Sequence, residues 1–109
     1  MPAQADAVWK ALADPTRREM LDLMRLKPRT TGDLSAAFPD VTRYAVMKHL
    51  KVLEGADLVR VRREGRVRWN IHHAAPLEMV LQPWVQRHIG MWKQNLENLK
   101  DYVEDNGLD

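Results

Sequence analysis

The sequence predicts a mainly α-helical domain that contains one small β-hairpin. Apolar residues recur at helical spacing through the first half of the chain and again over the last third. Residues 58–72, in contrast, alternate between apolar and polar side chains with a period of two. A length of 109 residues suits one domain, so we expect residues 1–109 to fold together.

Two helices are predicted at the start of the chain. The first covers residues 5–13, with Val8, Trp9 and Leu12 on one side. The second covers about residues 15–26, because the Asp-Pro pair at its start supplies a helix cap and a residue suited to the first turn.

A short third helix is predicted after Thr30. Thr30 and Asp33 have the Thr-x-x-Asp spacing that resembles a capping box. The apolar residues that follow, Leu34, Ala37 and Phe38, have the spacing of a side that faces the core.

The fourth helix lies in the segment VTRYAVMKHLKVL and is expected to run from a cap at Thr42 to about Gly55. Val46, Leu50 and Leu53 recur at i, i+4 and i+7 and are predicted to face the core. The other side carries the cations and two large side chains: Arg43, Tyr44, Met47, Lys48 and Lys51.

The alternating segment LVRVRREGRVRWNIH predicts a pair of antiparallel strands. Its valines, Trp69 and Ile71 alternate mostly with arginines, so we expect one apolar face and one wet face that is almost entirely arginine. Glu64-Gly65 is the expected two-residue turn, because glycine supplies the positive φ that such turns need.

A long amphipathic helix is predicted from near Pro83-Trp84. Its apolar stripe consists of Trp84, His88, Met91, Trp92, Leu96, Leu99 and Val103. Two tryptophans are more than a small core easily absorbs, so we expect the stripe to pack against a partner chain. Packing on the same domain is the alternative.

The charges are unevenly divided along the chain. Residues 1–40 are neutral, residues 41–72 carry a net charge of +5, and residues 73–109 carry −3. A basic centre suggests one surface built for a polyanion, although a merely solvated face would also account for it.

The order of elements gives that surface a specific interpretation. Three short helices, a fourth with a basic side, an arginine-rich hairpin and a last helix predict a winged helix-turn-helix. A helix fits the major groove of B-DNA, and a hairpin beside it lies along the backbone or enters the minor groove. The predicted partner is therefore double-stranded DNA.

Four segments also resemble one family. LADPTRREMLDLM, TTGDLSAAF, VTRYAVMKHLKVLEGADLV and EGRVRWNI are similar, and in the same order, to the motifs of the ArsR/SmtB family of small dimeric repressors. The resemblance covers about residues 8–72. The AVMKHL form and the tryptophan-bearing last helix look most like the subgroup often encoded beside polyketide-cyclase-like (Aha1/START-type) proteins.

The resemblance implies a homodimer that binds an imperfect palindrome, as a repressor released by a signal. The positions that match the family's recognition helix are Thr42, Arg43, Tyr44, Met47 and Lys48, with Lys51 on the same face; the wing candidates are Arg62, Arg63, Arg66 and Arg68. The dimer interface implied by the first and last helices comprises Val8, Trp9, Leu12, Trp84, His88, Met91, Trp92, Leu96 and Leu99.

The chain departs from the family pattern at the end of the fourth helix. The family usually has Ala-Gly there, and this chain has Gly55-Ala56-Asp57. Glycine at that point takes the left-handed conformation that closes the helix. Aspartate tolerates that conformation better than most residues, so we expect the turn to survive at a small cost in stability.

No cofactor is predicted. The family's thiolate metal sites need cysteine, which this chain lacks, and its other common site uses Asp and His ligands along the last helix. The histidines His72, His73 and His88 do not form that pattern. A symmetric pair of His88 side chains with Glu78 stays open as an atypical site, as does a small apolar effector near Trp84 and Trp92.

Other functions have weaker support. An enzyme with His49 or His88 as its base would lack a nucleophile motif and a converging carboxylate pair, and we expect His49 to be a hydrogen-bonded structural histidine. A winged helix used for protein contact would have no need of so many arginines. No apolar run approaches the roughly 20 residues of a membrane span, and no signal peptide is recognisable, so we expect a cytoplasmic protein.

Overall fold

The computed structural model describes residues 2–106, except for the side chains of Pro2 and Met91. In chain order the elements are α1 (Pro2–Leu12), α2 (Pro15–Leu26), β1 (Arg29–Thr30), α3 (Thr31–Ala37), α4 (Arg43–Gly55), β2 (Val59–Glu64), β3 (Val67–His72), a π-helix (Leu77–Leu81) and α5 (Gln82–Asp105). The predicted mainly helical fold with a small antiparallel sheet is confirmed. The chain divides into two compact units, of which the first ends at Leu77 and the second begins at Glu78.

The junction of α1 and α2 is held by side chains at the start of α2. Asp14 caps the helix as predicted, since its Oδ2 accepts a hydrogen bond from the backbone N–H of Arg17 at 3.0 Å. The Arg17 guanidinium in turn donates to the carbonyl oxygens of Ala11 and Lys10, at 2.7 and 2.9 Å. These bonds satisfy carbonyls that the end of α1 leaves without helical partners.

The predicted capping box of α3 is confirmed. Thr30 Oγ1 accepts from the Asp33 N–H at 2.9 Å, and Asp33 Oδ2 accepts from the Thr30 N–H at 3.2 Å. Leu34 is fully buried and Phe38 half-buried, but Ala37 is exposed. The expectation that Ala37 faces the core was wrong because α3 ends at that residue and its last turn faces solvent.

The core of the first unit includes one side of α4. Val46, Leu50 and Leu53 are fully buried, as their spacing predicted. Thr42 caps the helix through its Oγ1, which accepts from the Ala45 N–H at 3.1 Å. Because this side of α4 is buried, the opposite side of the helix faces solvent.

The turn at the end of α4 still closes the helix, although its sequence departs from the family pattern. Asp57 has φ 59°, in the left-handed region. Its N–H donates to the Glu54 carbonyl at 2.9 Å, and the Leu58 N–H donates to the Leu53 carbonyl at 3.0 Å. These two bonds form a Schellman motif with aspartate in the place usually taken by glycine. The expectation that the turn survives is confirmed.

The sheet contains a strand that the sequence did not predict. β1 pairs antiparallel with β3, so the strand order is β1-β3-β2. Between β2 and β3 the Cα partners Glu64 and Val67 enclose a loop formed by Gly65 and Arg66. The expected turn at Glu64-Gly65 is therefore displaced by one residue. Gly65 has φ 60° at the first loop position, as a type II′ turn requires.

The strand register overturns the expectation of a single arginine face. Directly paired residues share one face of a sheet, and Val61 pairs with Asn70 whereas Arg62 pairs with Trp69. The valines of β2 thus lie on the opposite face from Trp69 and Ile71, and each face carries arginines. The reason is the two-residue loop, which pairs each odd-numbered residue of one strand with an even-numbered residue of the other. The apolar residues of both strands have odd numbers, so those of β2 and those of β3 lie on opposite faces.

Asn70 holds the sheet to the helices. It is fully buried, and its Nδ2 donates to the Arg29 carbonyl at 3.2 Å and to Thr31 Oγ1 at 3.1 Å. The side chain therefore links β3 to β1 and to the first turn of α3.

The second unit contains α5 and all of the π-helix except its first residue, Leu77. The last helix was predicted to begin near Pro83-Trp84, and α5 begins at Gln82. Pro83 has no N–H to bond to the carbonyl of Met79, and the wider π-helical turn precedes it where that bond is missing. Among the described residues no helix is long and apolar enough to cross a membrane.

Candidate nucleic-acid interface

The exposed side of α4 carries its cations close to the start of the helix. Arg43, Tyr44, Lys48 and Lys51 are exposed and Met47 is half-buried. Tyr44 is 69% exposed, which is unusual for a large aromatic side chain that has no role at the surface. The sequence predicted this side of α4, and its burial pattern agrees.

Tyr44 and Lys48 form a pair on this surface. The Lys48 ammonium lies 5.1 Å from the centre of the Tyr44 ring, within the range of a cation–π interaction. Both residues lie on one helix face, separated by one turn. The interaction favours a Lys48 side chain that is directed toward the beginning of α4.

A cleft of about 410 Å³ separates the start of α4 from the β2–β3 hairpin, called the wing from here on. The lining residues come from β1, α3, α4 and the wing: Thr30, Thr31, Gly32, Arg43, Met47, Arg63, Arg66, Val67 and Arg68. Four of the nine are arginines, so the cleft is a site of concentrated positive charge. Such a site attracts polyanions.

The four predicted wing arginines have different surroundings. Arg63 and Arg66 are exposed and line the cleft. Arg62 lies on the other face of the sheet, 72% exposed, with its Nε 3.3 Å from the Glu64 carboxylate. Arg68 is only 11% exposed, and its Nη2 donates to Glu54 Oε2 at 2.8 Å. Three arginines are thus accessible to a ligand, and the fourth is held by α4.

The comparisons with known proteins agree with this geometry. A family model described as a helix-turn-helix domain matches residues 12–62. The HTH-type transcriptional regulator YuzN of Bacillus subtilis (strain 168) is 40% identical over 79% of this chain and 100% of its own length. The crystal structure of the ArsR family transcriptional regulator RHA00566 has a TM-score of 0.75 and 31% identity, and covers 85% of this chain and 94% of that one.

The chain belongs to the ArsR family of transcriptional regulators. Its winged helix-turn-helix is the family's fold, and α4 is the helix that the sequence predicted as the recognition helix. A further relative, the transcriptional repressor SdpR of Bacillus subtilis (strain 168), is 36% identical over 54% of this chain and 64% of its own length.

The residues predicted to join two copies of this ArsR-family regulator differ in accessibility. Val8 is fully buried within the chain, so the structure assigns it to the core and not to an interface. Trp9 is exposed and Leu12 half-buried. On α5 the side chains of Trp84, His88, Trp92, Leu96 and Leu99 are exposed, and the side chain of Met91 lies outside the described residues.

Three of the four histidines of the regulator contact protein groups. Arg17 Nη1 donates to His49 Nδ1 at 3.3 Å, an arrangement that fits the structural role predicted for His49. His88 Nδ1 donates to the Trp84 carbonyl at 2.8 Å, and the two rings stack at 4.1 Å. His73 Nδ1 lies 2.8 Å from the Asp57 carbonyl oxygen. Within residues 2–106, no three His, Asp or Glu side chains are grouped so as to hold a metal ion.

Sequence reasoning missed three residues of the candidate interface. Thr30 and Thr31 line the cleft, although Thr30 was predicted only as a cap. Glu54 was counted only as a negative charge, and it is the partner of Arg68. The capping box gave a local signal for Thr30, but Glu54 and Arg68 are joined only by the fold.

Proposed function

We propose that this ArsR-family regulator binds an inverted-repeat operator in double-stranded DNA as a homodimer and represses transcription. The observation that supports this most strongly is the shared cleft, in which Arg43 of the recognition helix and Arg63 and Arg66 of the wing face one space. A single duplex can meet both elements there, since each supplies cations to the same side.

The recognition helix supplies the contacts that select sequence. Arg43 and Lys48 bind base edges in the major groove, where guanine presents two acceptors. Tyr44 donates a hydrogen bond or lies against a sugar, and Met47 contacts thymine methyl groups. Thr42 and Lys51, at the two ends of the exposed side, bind phosphates.

The wing supplies contacts that fix orientation and add affinity. Arg63 and Arg66 bind phosphates or the minor groove from the side of the cleft. Arg62 approaches the backbone from the other face of the hairpin and contributes less. Arg68 was predicted with them, but its guanidinium is largely buried against Glu54, which favours a different role.

Dimerisation is supported by the second unit. Trp92 is 63% exposed, and Leu96 and Leu99 on the same helix are exposed as well. Exposed apolar side chains in such number mark an interaction surface. Two copies related by a two-fold axis would present their recognition helices about one helical turn of DNA apart, roughly 10 bp or a multiple of it. Repression is supported by the similarity to the repressor SdpR.

The test is selection of DNA by the purified protein from a genomic fragment library, followed by footprinting and a salt titration. The proposal expects an inverted repeat, one dimer per site, and affinity that falls steeply with salt. Heparin should displace the DNA. Weak binding without sequence preference, or binding that heparin does not affect, would refute the proposal and favour protein contact. A reporter gene placed behind the selected site distinguishes repression from activation.

A further inference from the structure

We infer that Arg68 and Glu54 form a positioning pair, which fixes the wing against the recognition helix, and that Arg68 does not itself bind DNA. This inference rests on the proposed function, since it assigns a role within the DNA-binding surface. It also separates Arg68 from the other arginines of the wing.

The surroundings of Arg68 are those of a structural side chain. Its Nη2 lies 2.8 Å from Glu54 Oε2, the length of a charge-assisted hydrogen bond. The side chain is 11% exposed, and its Nε is buried and has no hydrogen-bond partner. Arg68 also lines the cleft, but its guanidinium would have to give up the bond to Glu54 before its Nη2 could bind a phosphate.

The position of the pair links two elements that must act on one duplex. Glu54 belongs to the last turn of α4, and Arg68 is the second residue of β3. Asn70, two residues along β3 and on the same face, ties that strand to β1 and α3. Arg68 and Asn70 thus connect the wing to both helices of the helix-turn-helix. Without the Arg68 link, Asn70 would still hold the wing to α3 and β2 would still pack against α4, but no hydrogen bond of β3 would fix the angle between the wing and α4.

The Arg68–Glu54 pair differs in exposure from the Arg62–Glu64 pair of the wing. The Arg62–Glu64 pair is 72% and 56% exposed, and exposed pairs contribute little to stability. Loss of Glu54 would instead leave a nearly buried guanidinium without its partner, which is costly for a buried charge. The wing would then have to rearrange so that Arg68 reaches water.

The two possible roles of Arg68 predict opposite effects of Glu54→Ala. If Arg68 binds phosphate, removal of the carboxylate frees its guanidinium and removes a negative charge from a DNA-binding protein, so binding tightens. If the pair positions the wing, the same substitution weakens binding, on the order of three- to tenfold. Glu64→Ala is the matched control, because it removes one carboxylate from an exposed arginine pair of the same wing.

The probe is the duplex that the wild-type protein selects from a random-sequence pool, compared with an unrelated duplex of equal length. Affinities are measured by fluorescence anisotropy at several salt concentrations for wild type, Glu54→Ala, Glu64→Ala, Arg68→Gln and the double variant Glu54→Ala/Arg68→Gln. The inference expects weaker binding for Glu54→Ala but not for Glu64→Ala. It expects the double variant to bind no more weakly than Arg68→Gln alone.

The salt dependence separates positioning from contact. Loss of a phosphate contact lowers the slope of log affinity against log salt by about 1, whereas loss of a positioning residue leaves the slope unchanged. Urea unfolding verifies that each variant is folded. If Arg68→Gln does not fold, Glu54→Ala still decides the inference, because Glu54 is half-exposed and its replacement leaves no buried cavity.

Each outcome decides the inference. Unchanged or tighter binding by Glu54→Ala, or a slope lowered by about 1 in Arg68→Gln, overturns the positioning role and leaves the proposed function intact. Failure of the wild-type protein to select any duplex overturns the proposed function and the positioning role together.

Discussion

The turn that ends α4 gives opposite predictions for two residues only two positions apart. Gly55 is the last residue of the helix, and a Cβ added there meets no heavy atom within 4 Å. Asp57 has φ 59°, where an L side chain is strained. Gly55→Ala should therefore stabilise the protein and Asp57→Ala should destabilise it, although both introduce the same residue.

The magnitudes follow from the backbone. Glycine in a helix is less favourable than alanine by about 0.5–1 kcal/mol, so Gly55→Ala should raise the free energy of unfolding by that amount. The left-handed conformation costs an alanine about 1–2 kcal/mol. Asp57→Ala also loses the ion pair of the Asp57 carboxylate with Arg60, at 3.3 Å, and its contact with His73 Nδ1, at 3.4 Å. Such partly exposed pairs contribute about 0–1 kcal/mol, so the expected total loss is about 1–3 kcal/mol.

Asp57→Gly separates conformation from charge. It removes the same carboxylate as Asp57→Ala but relieves the left-handed strain, at the cost of about 0.5–1 kcal/mol for the freedom of an unfolded glycine. The glycine variant should thus be more stable than the alanine variant by about 1 kcal/mol. The hydrogen bond between His73 and the Asp57 main-chain oxygen is retained in both.

The assay is urea unfolding followed by circular dichroism, at one protein concentration because dimerisation affects apparent stability. Equal stability of Asp57→Ala and Asp57→Gly would refute the left-handed geometry at residue 57. A destabilising Gly55→Ala would show that α4 ends before that residue. Asp57→Asn, which keeps the shape but not the charge, measures the contribution of the ion pairs alone.

The other predictions concern DNA, assembly and pH. Arg43→Ala should weaken binding of the selected duplex by about 1–3 kcal/mol in an anisotropy assay if its guanidinium pairs with a base, and a loss of a few tenths would exclude that contact. Arg63→Gln should lower the salt slope by about 1, and Arg62→Gln should lower it less, because only Arg63 lines the cleft; equal slopes would contradict this ranking. Trp92→Glu should give monomers by light scattering, and an intact dimer would exclude this part of α5 from the interface. Burial lowers the pKa of His72, and nearby positive charges lower it further. The stability that the neutral form of His72 provides is therefore complete above a pH of about 6.5 and is lost as the pH falls through the folded-state pKa. His72→Gln should flatten that pH dependence in urea unfolding, and an unaltered profile would assign it to another group.

What could be predicted from the sequence is what neighbouring residues determine. The capping box of Thr30 and Asp33, the cap at Thr42 and the buried side of α4 all depend on contacts within one or two turns. The tolerance of Asp57 for a left-handed conformation is likewise a property of one residue. The basic side of α4 follows from the same periodicity that buries Leu50.

What could not be predicted depends on pairing between distant segments. β1 has only two residues, too few for any alternation to be recognised, and it exists because β3 supplies its hydrogen bonds. The turn was misplaced by one residue, and the faces of the hairpin were assigned without following the pairing across that turn. Arg68 was consequently grouped with exposed arginines, although the register directs it to the side of the helices.

The register also places polar side chains of β3 on the face of the wing that carries the valines of β2. Apolar packing is not directional, so a hairpin held only by valines would tolerate a range of angles to the recognition helix. Hydrogen bonds require defined distances and angles. Asn70 bonds to Arg29 and Thr31, and Arg68 bonds to Glu54, so two directional links at different points of β3 restrict rotation about either one. A protein that must bring a helix and a hairpin onto one duplex gains from that restriction, because an angle fixed before binding does not have to be fixed by the DNA.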